Sequence, residues 1–260
     1  MKKVAAVIFA GGRGIRLGDT FGNVPKALVQ IDGKAIIEYL INHLSNYGIN
    51  EIFVLTGYRS DLIRQYFIDL SNTDHVEIDF KNQTVTPMGQ PRNWRINVIN
   101  TGLNATTQSR LYQIKDLLKK YEDVLITYAD GISDVNLNEL YNFHKKNDFH
   151  ATITAVTVNS KYGDLKLNNH LISNFSEKGF IEDRWINGGF IFTKTEALQD
   201  LEDSYEMFEE DFLPKCSSLE KLGAFKHRGF WKAMDTPKDH AELEELAAKK
   251  ELVFGNEFKK

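Results

Sequence analysis

Directly after a short apolar run the chain reads Ala10-Gly11-Gly12-Arg13-Gly14-Ile15-Arg16-Leu17. Glycines at 11, 12 and 14 let the backbone approach a ligand and aim several N–H groups at an anion, while Arg13 and Arg16 add fixed positive charge. That combination suits phosphates; the competing reading is a tight turn with surface arginines. No Gly-Lys-Ser/Thr follows at the spacing of a Walker A loop, and the Rossmann Gly-x-Gly-x-x-Gly pattern is absent. Pro25-Lys26 comes shortly afterwards, and a lysine offers a compact point charge for a phosphate or a leaving pyrophosphate, although most such lysines are solvated surface groups. Asp130 ends the segment VLITYAD, at the carboxyl end of an expected strand, where parallel sheets bind ligands. Asp235 lies far downstream, after Trp231. Taken singly, either aspartate reads more readily as a turn or cap residue than as a ligand, and Asp130-Gly131 is a common turn pair; only the joint pattern reverses that.

Such groups need a sheet to hold them. Residues 4–10 form a continuous apolar run, as expected for a central strand covered on both faces. Residues 34–47 place Ile37, Leu40, Ile41 and Leu44 at helical spacing, with Gly48 as a stop. A strand over 51–56, a helix capped by Ser60, strands over 76–80 and 96–100, a helix over 107–121, a strand over 124–128 and a helix over 137–146 follow. Pro87 and Pro91 mark the stretch between the two middle strands as an excursion out of the sheet. Alternation of strand and helix predicts a parallel α/β sheet.

Beyond about residue 150 the texture becomes α+β. The predicted elements are a strand over 151–158, β-rich runs over 165–175 and 188–193 with an Asn168-Asn169 turn, helices over 196–201 and 205–219, a strand pair within 224–233, and a charged final helix over 238–250. No linker or repeat separates the halves. The chain is therefore read as one domain, 1–260, with a nucleotide-sized half at 1–150 and a second half at 151–260 that extends the first sheet.

Composition narrows the partners. With 260 residues, 42% apolar, 26% charged and 12% aromatic, the chain is an ordinary globular sequence, and disorder and collagen are excluded. A net charge of −4, from 32 basic against 36 acidic residues, provides no global field for nucleic acid or an anionic membrane. Cys216 is the only cysteine, so an internal disulfide and every multi-cysteine metal site are excluded; a reducing cytoplasm is expected. The apolar run near the N-terminus is too short to span a membrane.

The strand leading into AGGRGIRL, VPKALVQIDGKAII, TGLNATTQSRL, YADG, SEKG, INGGF and HRGFWKAMDT, in that order, resemble the sugar-phosphate nucleotidyltransferases over nearly the whole chain. TGLNATTQSRL and HRGFWKAMDT point to the cytidylyltransferase branch. The resemblance implies a GT-A-like nucleotidyltransferase fold: a Rossmann-like, mostly parallel mixed sheet flanked by helices, with a smaller α+β acceptor-binding portion. It also implies transfer of CMP from CTP to a sugar 1-phosphate, glucose 1-phosphate foremost, with pyrophosphate leaving. Another sugar or polyol phosphate as acceptor, or a dTTP- or UTP-using sister enzyme, is the alternative. Asp130 and Asp235 would hold Mg²⁺; Arg16 would meet the β- and γ-phosphates and Lys26 the α-phosphate. Ala10, Gly11, Gly12, Gly14, Thr101, Gly102 and Arg110 would surround the nucleotide. Gly163, Glu177, Lys178, Asn187 and Gly188 would form the acceptor side, with Lys178 on its phosphate. No general base is required, because a phosphate is already ionised, so His75, His144, His170 and His227 are expected to be structural or exposed. A homo-oligomer is implied as well.

This sequence departs from the family pattern at four places. Ile15 stands where the phosphate loop usually has threonine, Val24-Pro25-Lys26-Ala27 replaces Lys-Pro-Lys-Pro, Gly179 follows Glu177-Lys178 in place of proline, and Tyr162-Gly163-Asp164-Leu165 replaces Phe-Gly-Ala-Leu. The last two fall on the acceptor side, which leaves the sugar less constrained than the catalytic charges. A non-catalytic binding module would lose a metal ligand or phosphate cation, and all four are kept. A glycosyltransferase would carry Asp-x-Asp, and Tyr128-Ala129-Asp130 lacks the first acid. Phe230 and Trp231 read as core rather than as a stacking platform.

Overall fold

Seven consecutive apolar residues stay dry on both faces only in the middle of a covered sheet, and Val4–Ala10 forms such a strand, β1, buried along its length. The computed structural model describes residues 4–12, 21–71, 76–87, 92–157, 164–168, 171–176, 184–249 and 251–252. After a 3-10 turn at Lys26–Leu28 the chain makes a tight hairpin of β2 (Gln30–Ile31) and β3 (Lys34–Ala35). Its two loop residues, Asp32 and Gly33, both have positive φ, 49° and 71°, the backbone a two-residue hairpin loop demands. Lys34 and Ala35 are used in that hairpin, so the helix predicted from 34 begins later, as α1 (Ile36–Asn46).

β4 (Glu51–Thr56) and α2 (Ser60–Ser71) follow. β5 (Val76–Asp79) and β6 (Thr84–Pro87) form their own antiparallel hairpin, so the excursion from the main sheet starts earlier than the prolines suggested. β7 (Arg95–Asn100), α3 (Thr107–Leu118), β8 (Asp123–Tyr128), β9 (Gly131–Ser133) and α4 (Leu137–Asn147) complete the first half. The second contains β10 (Ala151–Thr157), the hairpin of β11 (Asp164–Asn168) and β12 (Leu171–Ser176), β13 (Trp185–Asn187), β14 (Ile191–Lys194) and α5 (Thr195–Leu198). α6 (Phe212–Ser218), β15 (Leu222–His227), β16 (Trp231–Ala233) and α7 (Pro237–Ala248) close it.

The main sheet runs β13-β10-β14-β8-β1-β4-β7, with β15 beside β10. β8, β1, β4 and β7 are parallel to one another; β14 runs antiparallel to both β8 and β10, so β10 and its parallel neighbour β15 share the direction of the β8 set, and β13 is again antiparallel to β10. The alternation predicts a parallel α/β sheet, which holds for β8, β1, β4 and β7; the whole sheet is the mixed, mostly parallel one that the family resemblance implies, Rossmann-like on the β1 side. Alternate residues of β1 enter opposite cores: Val4, Ala6, Ile8 and Ala10 meet Leu40, Leu44 and Leu140, while Ala5, Val7 and Phe9 meet Leu111, Ile114 and Phe212. Among the described residues no helix is long and apolar enough to cross a membrane.

Two further expectations fail. The helix predicted over 205–219 is confined to α6, because Pro214, lacking an N–H, fits only in a first helical turn and sets the start at Phe212. β15 and β16 do not pair with each other either: β15 joins β10 and β16 joins β9, so Gly229 between them is no hairpin tip.

Candidate active site

The β9–β16 pairing builds the centre of the site. Gly131 faces Ala233 across this antiparallel pair and Met234 N donates to Asp130 O at 2.9 Å, so Asp130, at the end of β8, lies beside Asp235 although 105 positions separate them in the chain. Asp235 is fixed from behind. The carboxylate of Asp239 accepts from Asp235 N at 3.2 Å and Thr236 N at 2.8 Å, and Thr236 with Asp239 forms the capping box that starts α7. Lys26 enters from the 3-10 turn that Pro25 initiates. Its Nζ lies 2.6 Å from Asp130 Oδ2 and 2.6 Å from Asp235 Oδ1, one ammonium bridging two carboxylates, with side-chain exposures of 16%, 31% and 42%.

Beside this cluster a cavity of about 270 Å³ opens, walled by Phe9, Gly12, Ala105, Tyr128 and Met207 together with the polar groups described next. Ala10 and Gly11 carry β1 into it. Arg110 is buried, and its Nη1 donates to Thr56 O at 2.8 Å and Thr101 Oγ1 at 2.5 Å. A Cβ on Gly11 would stand 2.2 Å from the Arg110 guanidinium carbon, so only glycine lets backbone and guanidinium approach this closely. No carboxylate pairs with Arg110 among the described residues, and burial lowers its pKa from the usual value, though a guanidinium stays charged. Thr101 and Gly102 do not reach the cavity wall. Thr101 stands behind Arg110 and holds it through its hydroxyl, which itself donates to Thr56 O at 2.9 Å.

Also lining the cavity, Glu209 accepts from the hydroxyl of Tyr128 at one oxygen and from Thr107 Oγ1 at 2.7 Å at the other. Burial first, then the Glu209 charge, pushes the Tyr128 phenol far above its ordinary value, so it keeps its proton and donates. Asn187 accepts from Gly189 N at 2.9 Å, and Gly188 O accepts from Trp231 Nε1 at 2.7 Å; neither Asn187 nor Gly188 lines the cavity. Glu209 was missed by sequence reasoning because 205–219 read as one amphipathic helix; Pro214 was the signal that this segment is a loop leading into one. Gly14, Arg16, Gly163, Glu177 and Lys178, with Arg13, Ile15 and Gly179, lie outside the described residues. Of the histidines, His144 is buried with Nδ1 2.8 Å from Thr152 Oγ1, and His227 Nε2 lies 2.9 Å from Asp134 Oδ1.

The donor set also fits a hard cation. Asp130 and Asp235, two carboxylates from distant segments that already share one positive charge, are the residues that could hold it. Oxygen donors of this kind are what Mg²⁺ takes, usually one or two carboxylates with water and substrate phosphates.

Comparison with known proteins agrees. Residues 5–250 match the nucleotidyl transferase family. A probable glucose-1-phosphate cytidylyltransferase of Bacillus subtilis is 33% identical over 243 residues, covering 93% of this chain and 95% of that one. The glucose-1-phosphate cytidylyltransferase of Salmonella typhimurium is 30% identical over the same length, again covering 93% of this chain and 95% of the relative. A solved structure of a putative glucose-1-phosphate thymidylyltransferase from Bacillus anthracis superposes with a TM-score of 0.70 at 15% identity, over 98% of this chain and 99% of that one, a likeness of fold. With Asp130, Asp235 and Lys26 gathered at the carboxyl end of a parallel sheet, the chain belongs to the nucleotidyl transferase family, as a sugar-phosphate nucleotidyltransferase.

Proposed function

We propose that this enzyme transfers CMP from CTP to a sugar 1-phosphate, with glucose 1-phosphate the leading acceptor, giving a CDP-sugar and pyrophosphate. A phosphate oxygen of the acceptor forms a bond to the α-phosphorus while the bond from that phosphorus to the bridging oxygen of the β-phosphate breaks in line. The observation that carries the reading is the bridged cluster of Lys26, Asp130 and Asp235. Two polyanions must be brought together, and the site supplies positive charge beside acidic groups suited to a divalent ion. Asp130 and Asp235 would hold Mg²⁺, which when bound supplies charge neutralisation for the phosphates. Lys26 is proposed to stabilise the α-phosphate as its charge grows, and Arg16 and Lys178 to hold the β,γ- and acceptor phosphates.

Arg110 supports cytosine. Among the described residues its hydrogen bonds both leave from Nη1, and Arg110 borders the cavity, so the remaining guanidinium N–H groups can meet an acceptor there. Cytosine presents two adjacent acceptors, O2 and N3, to such a fork, whereas uracil and thymine place a ring N–H between their carbonyls. Guanine offers a comparable pair at O6 and N7, so the fork favours CTP over UTP and dTTP, and GTP is separated by the assay. The test is pyrophosphate release with Mg²⁺, each common nucleoside triphosphate and a panel of sugar and polyol phosphates. CTP with a sugar 1-phosphate is expected to lead; a preference for dTTP or UTP assigns the protein to a sister branch.

A further inference from the structure

Glu209 is a carboxylate in a cavity read as a site for polyanions, and no lysine, arginine or histidine pairs with it among the described residues. A bound phosphate beside it would be repelled. Its corner of the cavity therefore suits an uncharged, donor-rich portion of a ligand. A carboxylate has about four lone-pair positions, and Tyr128 and Thr107 use two. The group is also held in place. Phe208, fully buried, anchors the segment, its N–H donates to Thr107 Oγ1 at 2.8 Å, and Gln108 and Ser109 bond Asp211 and Asp203 on either side.

We propose that Glu209 accepts hydrogen bonds from ring hydroxyls of the acceptor, making it a specificity-determining residue that favours sugar phosphates over phosphate esters with no hydroxyl in its reach. This rests on the acceptor reading above. Ribose hydroxyls of the nucleotide carry the same chemistry, and the experiment separates the two sources.

Glu209→Ala is compared with the wild type using CTP, glucose 1-phosphate and its monodeoxy analogues, with turnover followed by pyrophosphate release and binding of each ligand by calorimetry. The expected result is a loss of about 10- to 100-fold in kcat/KM for glucose 1-phosphate, the scale of one charged hydrogen bond, carried by KM. The KM and Kd of CTP stay within about twofold. One monodeoxy analogue is expected to bind the wild type as weakly as glucose 1-phosphate binds the variant, with no further loss when the two changes are combined. Unchanged acceptor binding overturns the proposal, as does an effect that falls on CTP and is reproduced by 2′- or 3′-deoxy-CTP. Glu209→Gln, which keeps the side chain's length, answers the same question if the alanine variant does not fold. Absence of pyrophosphate release from the wild type with every substrate pair would reject the proposed reaction; the calorimetric comparison of variant and wild type still decides the role of Glu209.

Discussion

The strand β8 begins and ends next to an aspartate–lysine cluster, and the two ends differ in how they are closed. At the start, Asp123 is fully buried: Oδ2 accepts from Tyr141 Oη at 3.0 Å and Lys145 Nζ at 2.9 Å, and His144 Nε2 stands 3.4 Å from Oδ1. These partners come from α4, 18 to 22 positions along the chain. Just past the other end, Asp130 is 31% exposed and meets Lys26, which is 104 positions away and also bridges to Asp235, 209 positions from it. The first cluster is closed by a neighbouring helix, with Asp123 fully buried. The second is gathered from three distant segments and borders an opening. Similar charges on one strand therefore differ in purpose: the local cluster ties a helix to the sheet, and the long-range one keeps room for a ligand.

The largest effect should separate the ends most sharply. Asp130→Asn and Asp235→Asn are each expected to lower pyrophosphate release by about 10³-fold while leaving the melting temperature within a few degrees. Chelation with EDTA should abolish turnover in the unaltered protein and added Mg²⁺ should restore it, again without a shift in melting. Near-normal turnover of both variants would break the contrast. Asp123→Asn should do the opposite, costing about 3 kcal/mol of stability in denaturant melts because it leaves a buried network unbalanced, with kcat within about twofold of the wild type.

A buried group away from both clusters sharpens the comparison through pH. His43 has Val135 O as its hydrogen-bond acceptor at 3.1 Å, and burial pulls its pKa down from 6.5 to about 4. Its folded value lies below its unfolded one, so as the pH falls from 6.5 to about 4 the unfolded chain takes up a proton that the folded chain refuses, and stability declines by up to about 3 kcal/mol. His43→Gln should flatten that window when unfolding is measured against pH. For Asp123, burial alone would raise the pKa, but the nearby His144 together with the bonds from Lys145 and Tyr141 holds it below the ordinary value. Its contribution is therefore complete above about pH 4 and is lost only as the pH falls further. The smallest effect belongs to surface pairs: Lys249→Ala, removing the 2.6 Å contact with Glu245, should leave the denaturant midpoint within experimental error of the wild type.

Legibility in the sequence follows the same division. β1, β4 and β8, and the helices that pack on them, could be read because their apolar periodicity is a local property. Asp130 was visible as the residue that ends a strand. Asp235 has no such signal: what places it is the pairing of β9 with β16, a register between segments about 100 residues apart that no window of sequence encodes. The same blindness made β15 and β16 look like partners. Lys34 was misread for a local reason, since Asp32-Gly33 is a hairpin turn signal that the helical spacing after it overrode. Glu209 was hidden in a stretch whose amphipathic pattern outweighed Pro214.

The ammonium shared by Asp130 and Asp235 has a consequence for the order in which the protein matures. Synthesis delivers Lys26 and Asp130 long before position 235, so a nascent chain can lay down β1, β4 and β8 while one of the three charges is still missing. The cluster is completed late, when β16 slots against β9 and α7 settles behind it. If the proposed roles of these three groups hold, an unfinished copy would have the outline of the enzyme before it could turn over.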